Sequence, residues 1–588
     1  MLEARFDDLT GATPSFRLVG PVGVLEATRT GEVVAVLEAA EAAAERGLWV
    51  AGFVSYEAAP GLDPALVVRA RDPGDAFAAL PLAWFAMFER AEETTLPVPR
   101  DEGVPDAPAG TWMPTTPRER FESSVDEIRE LIAAGETYQV NHTMRLRSRV
   151  EGDPRGLYRD LCYAQRGAYS AYLDLGRYRV LSASPELFFE RSGGSIVTRP
   201  MKGTAPRGRW PEEDRVAAEH LLASAKDRAE NAMIVDLLRN DLGRISRAGS
   251  VTWADVFQVE RYETVWQLTT TVAAELENGI GLAEVFRGLF PSGSVTGAPK
   301  VRTMEIIRDL EDSPRGIYCG TVGFLAPEGS GRPEARFNVA IRTVTVDTAS
   351  TTAEYGVGGG ITWDSEAGSE YEEAVAKSRV LTARRPGFEL LETMRFDPAE
   401  GVRHLDRHLE RLAASAGYFD FRLDEVEVRE AIEKTAASAP AATARLRLSL
   451  RKDGTVRVAA TPFAGDPEVV RVAIDDVAQD RSDVFLFHKT SRRDRYEAAR
   501  HRHPDADDVL LVNDRGEITE STIANVAARI DGRWITPPLE AGLLAGIGRA
   551  VALEEGRVVE GTVTLADARS AELALISDAR GWRRAVLV

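Results

Sequence analysis

Two cysteines in 588 residues leave nothing from which to build a disulfide framework, and Cys162 and Cys319 have no CxxC or other metal-ligand spacing. Both read as buried small hydrophobes of a chain kept in a reducing compartment, so a cytoplasmic location is expected. Long apolar runs are missing too. No stretch reaches the roughly 18 apolar residues of a membrane span, and Met1-Leu-Glu-Ala-Arg-Phe-Asp-Asp8 lacks the basic region and apolar core of an export signal. Cations are in deficit: 72 Lys and Arg stand against 92 Asp and Glu, a formal net charge of −20. That balance argues against nucleic acid as a partner, because phosphate backbones need clustered cations. A small anion is not excluded, since a few focused arginines and lysines, or a magnesium ion, can bind it inside a negative protein.

What is present reads as globular. Hydrophobic residues make up 44% and charged residues 28%, ordinary values for such a protein. A single hydrophobic core stops growing at roughly 250 to 300 residues, so at least two domains are expected. Val33 to Arg46 repeats apolar and small residues at helical spacing and stops at Gly47. Leu48-Trp-Val-Ala-Gly-Phe-Val-Ser-Tyr56 reads as a buried strand. Pro117 to Ala134 reads as an amphipathic helix with the proline in its first turn. Residues 94–116, rich in Pro, Thr, Asp and Gly, read as a surface connector. The composition breaks at Ala383-Arg-Arg-Pro-Gly387, dividing the chain into expected domains 1–384 and 387–588. The fold class expected is α+β in both.

In the first domain, Arg199-Pro-Met-Lys-Gly-Thr204 sets Lys202 beside a proline and a glycine able to fix its backbone. A lysine attacks carbon only when part of it is deprotonated, which requires desolvation or nearby cations. Alone, it reads as a solvated turn residue. Its surroundings reverse that reading: Ser182-Ala-Ser-Pro-Glu-Leu-Phe188 lies upstream, Ser224-Ala-Lys-Asp-Arg-Ala-Glu-Asn231 and Met233-Ile-Val-Asp-Leu-Leu-Arg-Asn-Asp241 downstream. Then come Ser292-Gly-Ser-Val-Thr-Gly-Ala-Pro-Lys300, Ile341-Arg-Thr343, Gly358-Gly-Gly360 and Glu370-Tyr-Glu-Glu373 with Lys377. In this order these motifs resemble the chorismate-utilising enzymes. The lysine of the PMKGT turn resembles the component I subunits of aminodeoxychorismate synthase, where anthranilate synthases usually carry alanine. Isochorismate and salicylate synthases carry a lysine where Gln139 stands, and anthranilate synthases a histidine where Gln267 stands.

The resemblance implies layered β-sheets flanked by helices and a set of roles. Glu186 matches the general acid at the departing C4 hydroxyl, a role worth about 10² to 10⁴ in rate. Glu230 and Glu373, with Glu370 beside them, match magnesium ligands, being hard oxygen donors. Without the match, Glu370 and Glu373 are three apart on one helical face and read as solvated surface. Arg342 and Tyr318 match residues on the pyruvyl carboxylate. Lys377 and the amides of Gly358, Gly359 and Gly360 would hold the other carboxylate, and Thr296 and Lys300 are further expected substrate contacts. Lys202 would attack ring C2 as the hydroxyl leaves, and ammonia would add at C4 as the lysine departs, giving 4-amino-4-deoxychorismate. Around Lys300 the GK[ST] of a phosphate loop is absent, so nucleotide binding is not expected there. Neither cysteine sits in the glycine-rich elbow of a glutaminase, so ammonia is expected from a separate glutamine amidotransferase subunit.

From Phe388 onward the chain resembles the class IV pyridoxal-phosphate enzymes. Leu486-Phe-His-Lys-Thr490 matches the segment of the Schiff-base lysine, which assigns that role to Lys489. Glu520 matches the carboxylate facing the pyridine nitrogen. Arg411 matches the arginine on the cofactor phosphate, and Ile547 and Gly548 lie in the matching loop of backbone amides. The family usually has threonine at Gly548 and asparagine at Asp578, and its opening strand and turn are largely missing here. His404 and His408, four apart, lack the glutamate of HExxH and read as structural.

Together the halves imply a bifunctional enzyme of folate-precursor synthesis: chorismate and ammonia give aminodeoxychorismate, then loss of pyruvate gives 4-aminobenzoate. Magnesium and pyridoxal phosphate are the expected cofactors, and the second domain leaves room for a homodimer. Three alternatives stay open: a C-terminal aminotransferase for small amino acids, an anthranilate-synthase-like first domain, and a catalytically dead dimerisation or regulatory module.

Overall fold

The computed structural model describes residues 2–97, 110–382, 387–439, 442–463, 467 and 469–588. Residues 383–386 of the composition break and 98–109 of the connector lie outside the described residues. Contacts gather the chain into two units, Met1–Arg207 with Ala218–Pro386, and Gly208–Ala217 with Gly387–Val588. A linear division at 384–387 thus misses one excursion. The Trp210 ring stacks on Phe487 with centroids 5.0 Å apart, the Tyr418 hydroxyl donates to the Gly208 carbonyl at 2.6 Å, and Arg209 donates to the Arg481 carbonyl at 3.2 Å. No local pattern encodes such distant pairings.

In the first unit eighteen strands join in one hydrogen-bonded network. The continuous apolar run at Trp49–Val54 is a strand with every residue buried, because its alternate side chains enter two different cores. Val50 and Val54 join the cluster containing Phe286 and Phe337, while Trp49, Ala51 and Phe53 join the one containing Phe16 and Phe324. A strand buried on both faces loses the apolar–polar alternation that otherwise marks it. Helix Val33–Glu45 lays Val33, Val36, Leu37, Ala40, Ala43 and Ala44 inward. Helix Arg118–Ala133 buries Phe121, Val125 and Ile128 at helical spacing, with Pro117 as its N-cap residue.

The second unit has a four-stranded antiparallel sheet built from Leu390–Asp397, Gly401–Val402, Ala444–Leu450 and Val456–Pro462. In Ala444–Leu450 the alanine and leucines are buried while Arg445 and Arg447 are exposed, the signature of a sheet with one wet face. Helices Leu405–Phe419 and Glu425–Ala437 contribute to the same core. An eight-stranded sheet follows, in which Val469–Ile474 pairs in parallel with both Asp508–Val512 and Gly581–Leu587. Cys162 and Cys319 are free and buried. Among the described residues no helix is long and apolar enough to cross a membrane.

Candidate functional site

Lys202 lies on strand Met201–Pro206, whose pairing with Val265–Glu275 slips between Met201 and Thr204. A bulge of this kind bends the strand and re-aims a side chain. Gly203, beside the lysine, has φ +97°, a conformation that side chains with a Cβ rarely adopt. Helix Ala225–Gly243 secures the bulge from below: Asn231 Nδ2 donates to the Lys202 carbonyl at 3.2 Å, and Asn231 Oδ1 accepts from the Thr270 hydroxyl at 2.7 Å. One residue earlier on this helix, Glu230 places Oε2 3.6 Å from Lys202 Nζ.

Strand Thr352–Ile361 pairs with Gln139–Arg149 and carries the glycine run. A Cβ on Gly360 would stand 2.6 Å from Lys202 Nζ and 2.5 Å from Gln139 Nε2, and one on Gly358 only 2.2 Å from the His142 carbonyl oxygen. The glycines therefore let backbone approach charged and polar groups that a side chain would displace. Next along, a Cβ on Gly359 would stand 3.1 Å from Glu370 Oε2 and 3.7 Å from Lys377 Nζ. Gln139 is buried, and its Oε1 has no hydrogen-bond partner.

Glu186 is buried at 4% exposure. Burial pushes its carboxyl up to about 7, against the opposing effects of a Ser294 hydrogen bond and the Lys202 charge. A carboxyl of that acidity keeps its proton up to neutrality, as a general acid must. Ser294 lies inside a motif read from the sequence, yet nothing there singled it out.

Helix Ala367–Ser378 supplies Glu370, Glu373 and Lys377. Lys377 Nζ lies 2.7 Å from Glu373 Oε1 and donates to the Gly358 carbonyl at 2.9 Å. Burial would raise the Glu373 carboxyl, but Lys377 beside it holds it below the usual range. Glu370 is raised by burial and further by the charge of Glu373, with a Ser365 hydrogen bond opposing. Arg342, at φ +51°, donates to the Lys377 carbonyl and bonds Tyr355. Tyr318 is buried, with the Arg145 guanidinium 5.2 Å from its ring centroid.

Two expected substrate residues are engaged elsewhere. Lys300 Nζ donates to Asp241 Oδ2 at 2.8 Å and to the Leu289 carbonyl at 3.2 Å. The fully buried Thr296 turns its hydroxyl back to the Ser292 carbonyl at 3.0 Å. The first is an ion pair between distant segments, the second a local turn bond.

Glu230, Glu370 and Glu373 do not form one close-set cluster; Lys202 and Lys377 stand against two of them. Among the described residues the one group of three His, Cys or carboxylate side chains spaced to hold a metal ion is Asp475, Asp476 and His503, where Asp475 is already held by Arg502 at 2.6 Å. Magnesium, which takes only one or two carboxylates from protein and keeps its waters, does not require a three-carboxylate cluster. Burial first, and the Glu373 charge in smaller part, raise Glu370, and a divalent cation would act against both.

In the second unit Lys489 is brought down to about 8 by burial and then by the charge of Arg411, against Glu392 and Glu520. The backbone N–H of Leu391 donates to the Lys489 carbonyl at 2.8 Å. Glu520, pushed up to about 7 by burial, accepts from the Tyr496 hydroxyl at 2.9 Å and the Leu544 N–H at 3.2 Å. Arg411 donates to the Ala545 carbonyl at 3.1 Å, just ahead of helix Ile547–Glu554. A Cβ on Gly548 would stand 2.6 Å from the Ser577 carbonyl carbon and 2.8 Å from the Asp578 nitrogen, so backbone occupies the side-chain space there. A buried lysine of lowered pKa, a carboxylate to face a ring nitrogen, and a guanidinium ahead of a helix N-terminus fit pyridoxal phosphate. Tyr496 and Arg493, whose charge also acts on Lys489, escaped the sequence reading.

Residues 11–383 match the chorismate binding enzyme family, and residues 389–588 match the class IV amino-transferases. Aminodeoxychorismate synthase component 1 of Klebsiella aerogenes is 41% identical over 271 residues, 46% of this chain and 59% of that protein. Anthranilate synthase component 1 of Aquifex aeolicus is 39% identical over 270 residues, 46% of this chain and 53% of that protein. The chain thus spans somewhat over half the length of these relatives. The crystal structure of anthranilate synthase component I from Streptococcus pneumoniae TIGR4 superposes with a TM-score of 0.54 at 26% identity, covering 63% of this chain and 92% of that one. The chain belongs to the chorismate binding enzymes, with a class IV amino-transferase domain following.

Proposed function

We propose that this chorismate binding enzyme makes 4-aminobenzoate in two steps, amination of chorismate by the first domain and release of pyruvate by the second. Relatives named as aminodeoxychorismate and as anthranilate synthases are nearly equally similar, so overall identity does not choose between them. The observation that carries the choice is Lys202 itself, aimed by a bulge at the face of Gly360 beside Gln139.

Lys202 Nζ, as the free amine, attacks ring C2 and forms a C–N bond, both ring double bonds shift toward C4, and the C4–O bond breaks as the hydroxyl departs as water with the proton of Glu186. Ammonia then adds at C4 and passes a proton back to Glu186, both double bonds shift back, and the C2–N bond breaks to free the lysine. Arg342, Tyr318, Lys377 and the glycine amides orient the two carboxylates. Magnesium held by Glu230, Glu373 and Glu370 would neutralise charge at the ring carboxylate. The two buried cysteines leave nitrogen supply to a separate glutaminase subunit.

In the second domain Lys489, Glu520 and Arg411 with the amides of Ile547 and Gly548 would hold pyridoxal phosphate, which supplies an electron sink. Lys489, at about 8, is poised to take the ring proton as the enolpyruvyl group leaves. The test is incubation of the purified chain with chorismate, an ammonium salt, magnesium and pyridoxal phosphate, followed by product identification. 4-Aminobenzoate and pyruvate are expected. Anthranilate would overturn the first assignment, and aminodeoxychorismate that persists beside amino transfer to pyruvate would overturn the second.

A further inference from the structure

His408 carries no role in the chemistry above, yet both of its ring nitrogens are engaged by carboxylates. It is 1% exposed, with Nδ1 2.7 Å from Glu392 Oε2 and Nε2 3.1 Å from Asp578 Oδ2. Both ring nitrogens thus face carboxylate oxygens, which only accept, and a neutral imidazole can donate to one alone. Burial by itself would lower the imidazole pKa; hydrogen bonds to Asp578 and Glu392 outweigh it and raise the pKa.

Glu392 is shared. Its Oε1 accepts Arg411 Nε at 2.9 Å and its Oε2 accepts Arg411 Nη2 at 2.6 Å, leaving Arg411 Nη1 for the Ala545 carbonyl ahead of helix Ile547–Glu554. Asp578 is shared as well, since its Oδ1 lies 2.6 Å from His404 Nδ1 and 3.8 Å from Arg403 Nε. Glu392 on its strand, Arg411 on helix Leu405–Phe419, His404 as that helix's N-cap residue, Arg403 before it and Asp578 in the turn between strands Glu572–Ser577 and Gly581–Leu587 therefore all face this imidazole or its carboxylates. With His408 protonated, Glu392 and Asp578 are balanced by His408 and Arg411. Without that proton the buried pair is left with Arg411 and, at 3.8 Å, the half-exposed Arg403, a weaker balance beside a pocket that must take a phosphate dianion.

We propose that His408 is a positioning residue for the cofactor phosphate: as an imidazolium it fixes Glu392, and Glu392 holds the Arg411 guanidinium in the orientation that receives the anion. This rests on the reading that the second domain binds pyridoxal phosphate. It gives the aspartate at 578 a function, because asparagine there would not support the charged imidazole.

The test titrates the full-length chain, freed of cofactor, with pyridoxal phosphate and separately with pyridoxal, which lacks the phosphate. His408→Gln is expected to weaken pyridoxal phosphate about tenfold, the effect of losing one hydrogen bond to a charged group, and to leave pyridoxal unchanged. In the wild type the preference for the phosphorylated ligand is expected to fall as pH rises through the raised imidazole pKa, and in His408→Gln to be flat. Asp578→Asn, of the same shape, serves if the glutamine variant does not fold, and its pH midpoint is expected lower than wild type. Unchanged preference in these variants, or equal loss of both ligands, overturns the proposal while leaving the cofactor reading intact. A wild-type chain that binds neither ligand overturns both.

Discussion

The Asn231 side chain and the Lys202 backbone are tied directly, Nδ2 to carbonyl at 3.2 Å, so the helix that presents Glu230 also sets the height of the lysine. Two further hydrogen bonds of Asn231, from the Thr270 hydroxyl and to the Leu268 carbonyl at 3.4 Å, anchor the amide on the neighbouring strand. The position of the proposed nucleophile is thereby fixed in part by a residue given no role in the proposed chemistry.

Asn231→Ala is expected to lower kcat for amination about 10- to 100-fold, the scale of an ångström-level misplacement, with KM for chorismate little changed. Stability should fall by about 1 to 3 kcal/mol from the unsatisfied buried partners. Steady-state kinetics beside urea unfolding separates the two effects.

Glu186 should impose an alkaline limb on amination. Its proton, held up to about 7, is present below that pH and lost above it, so kcat/KM at constant free ammonia falls as pH rises through neutrality. Glu186→Gln should remove the limb and cost about 10² to 10⁴ in rate. A pH–rate profile of both proteins checks this.

Lys202→Ala should abolish amination while added aminodeoxychorismate still becomes 4-aminobenzoate; Lys489→Ala should do the reverse, accumulating aminodeoxychorismate and losing the visible absorption of bound cofactor. The loss in each affected step is expected to exceed about 100-fold. Chromatography of products from both variants, each given chorismate or aminodeoxychorismate, provides the comparison.

Glu373→Gln is expected to raise the magnesium concentration needed for half-maximal amination without changing pyruvate release from aminodeoxychorismate. It also removes the negative charge that Lys377 faces at 2.7 Å, leaving an amide oxygen that can still accept. Magnesium titrations of both half-reactions distinguish this from general misfolding, which lowers both together.

Much of this was legible in advance where chemistry sits in short motifs. Lys202, Glu186 and the glycine run were singled out from adjacent residues, and the structure brings them to one place. Thr296 and Lys300 belong to an equally recognisable motif, yet a turn and the distant Asp241 engage them. The bulge at Lys202, the Tyr496 contact to Glu520 and the two carboxylates on His408 arise from strands and helices meeting across long separations. Such pairings leave no periodicity behind. The same holds for Trp49–Val54, whose two buried faces only the layered architecture explains.

Because Gly208–Ala217 belong to the C-terminal unit, the polypeptide crosses between the two units three times: after Arg207, after Ala217 and after Pro386. Severing the chain at an engineered protease site near Pro386 would therefore break one crossing and leave two. The C-terminal piece should stay with its N-terminal counterpart through native size-exclusion chromatography, and separate only in denaturant. A C-terminal piece expressed from Gly387 alone would lack Trp210 over Phe487, two residues from Lys489. Dissecting the two units therefore requires moving the ten-residue segment Gly208–Ala217 along with the second.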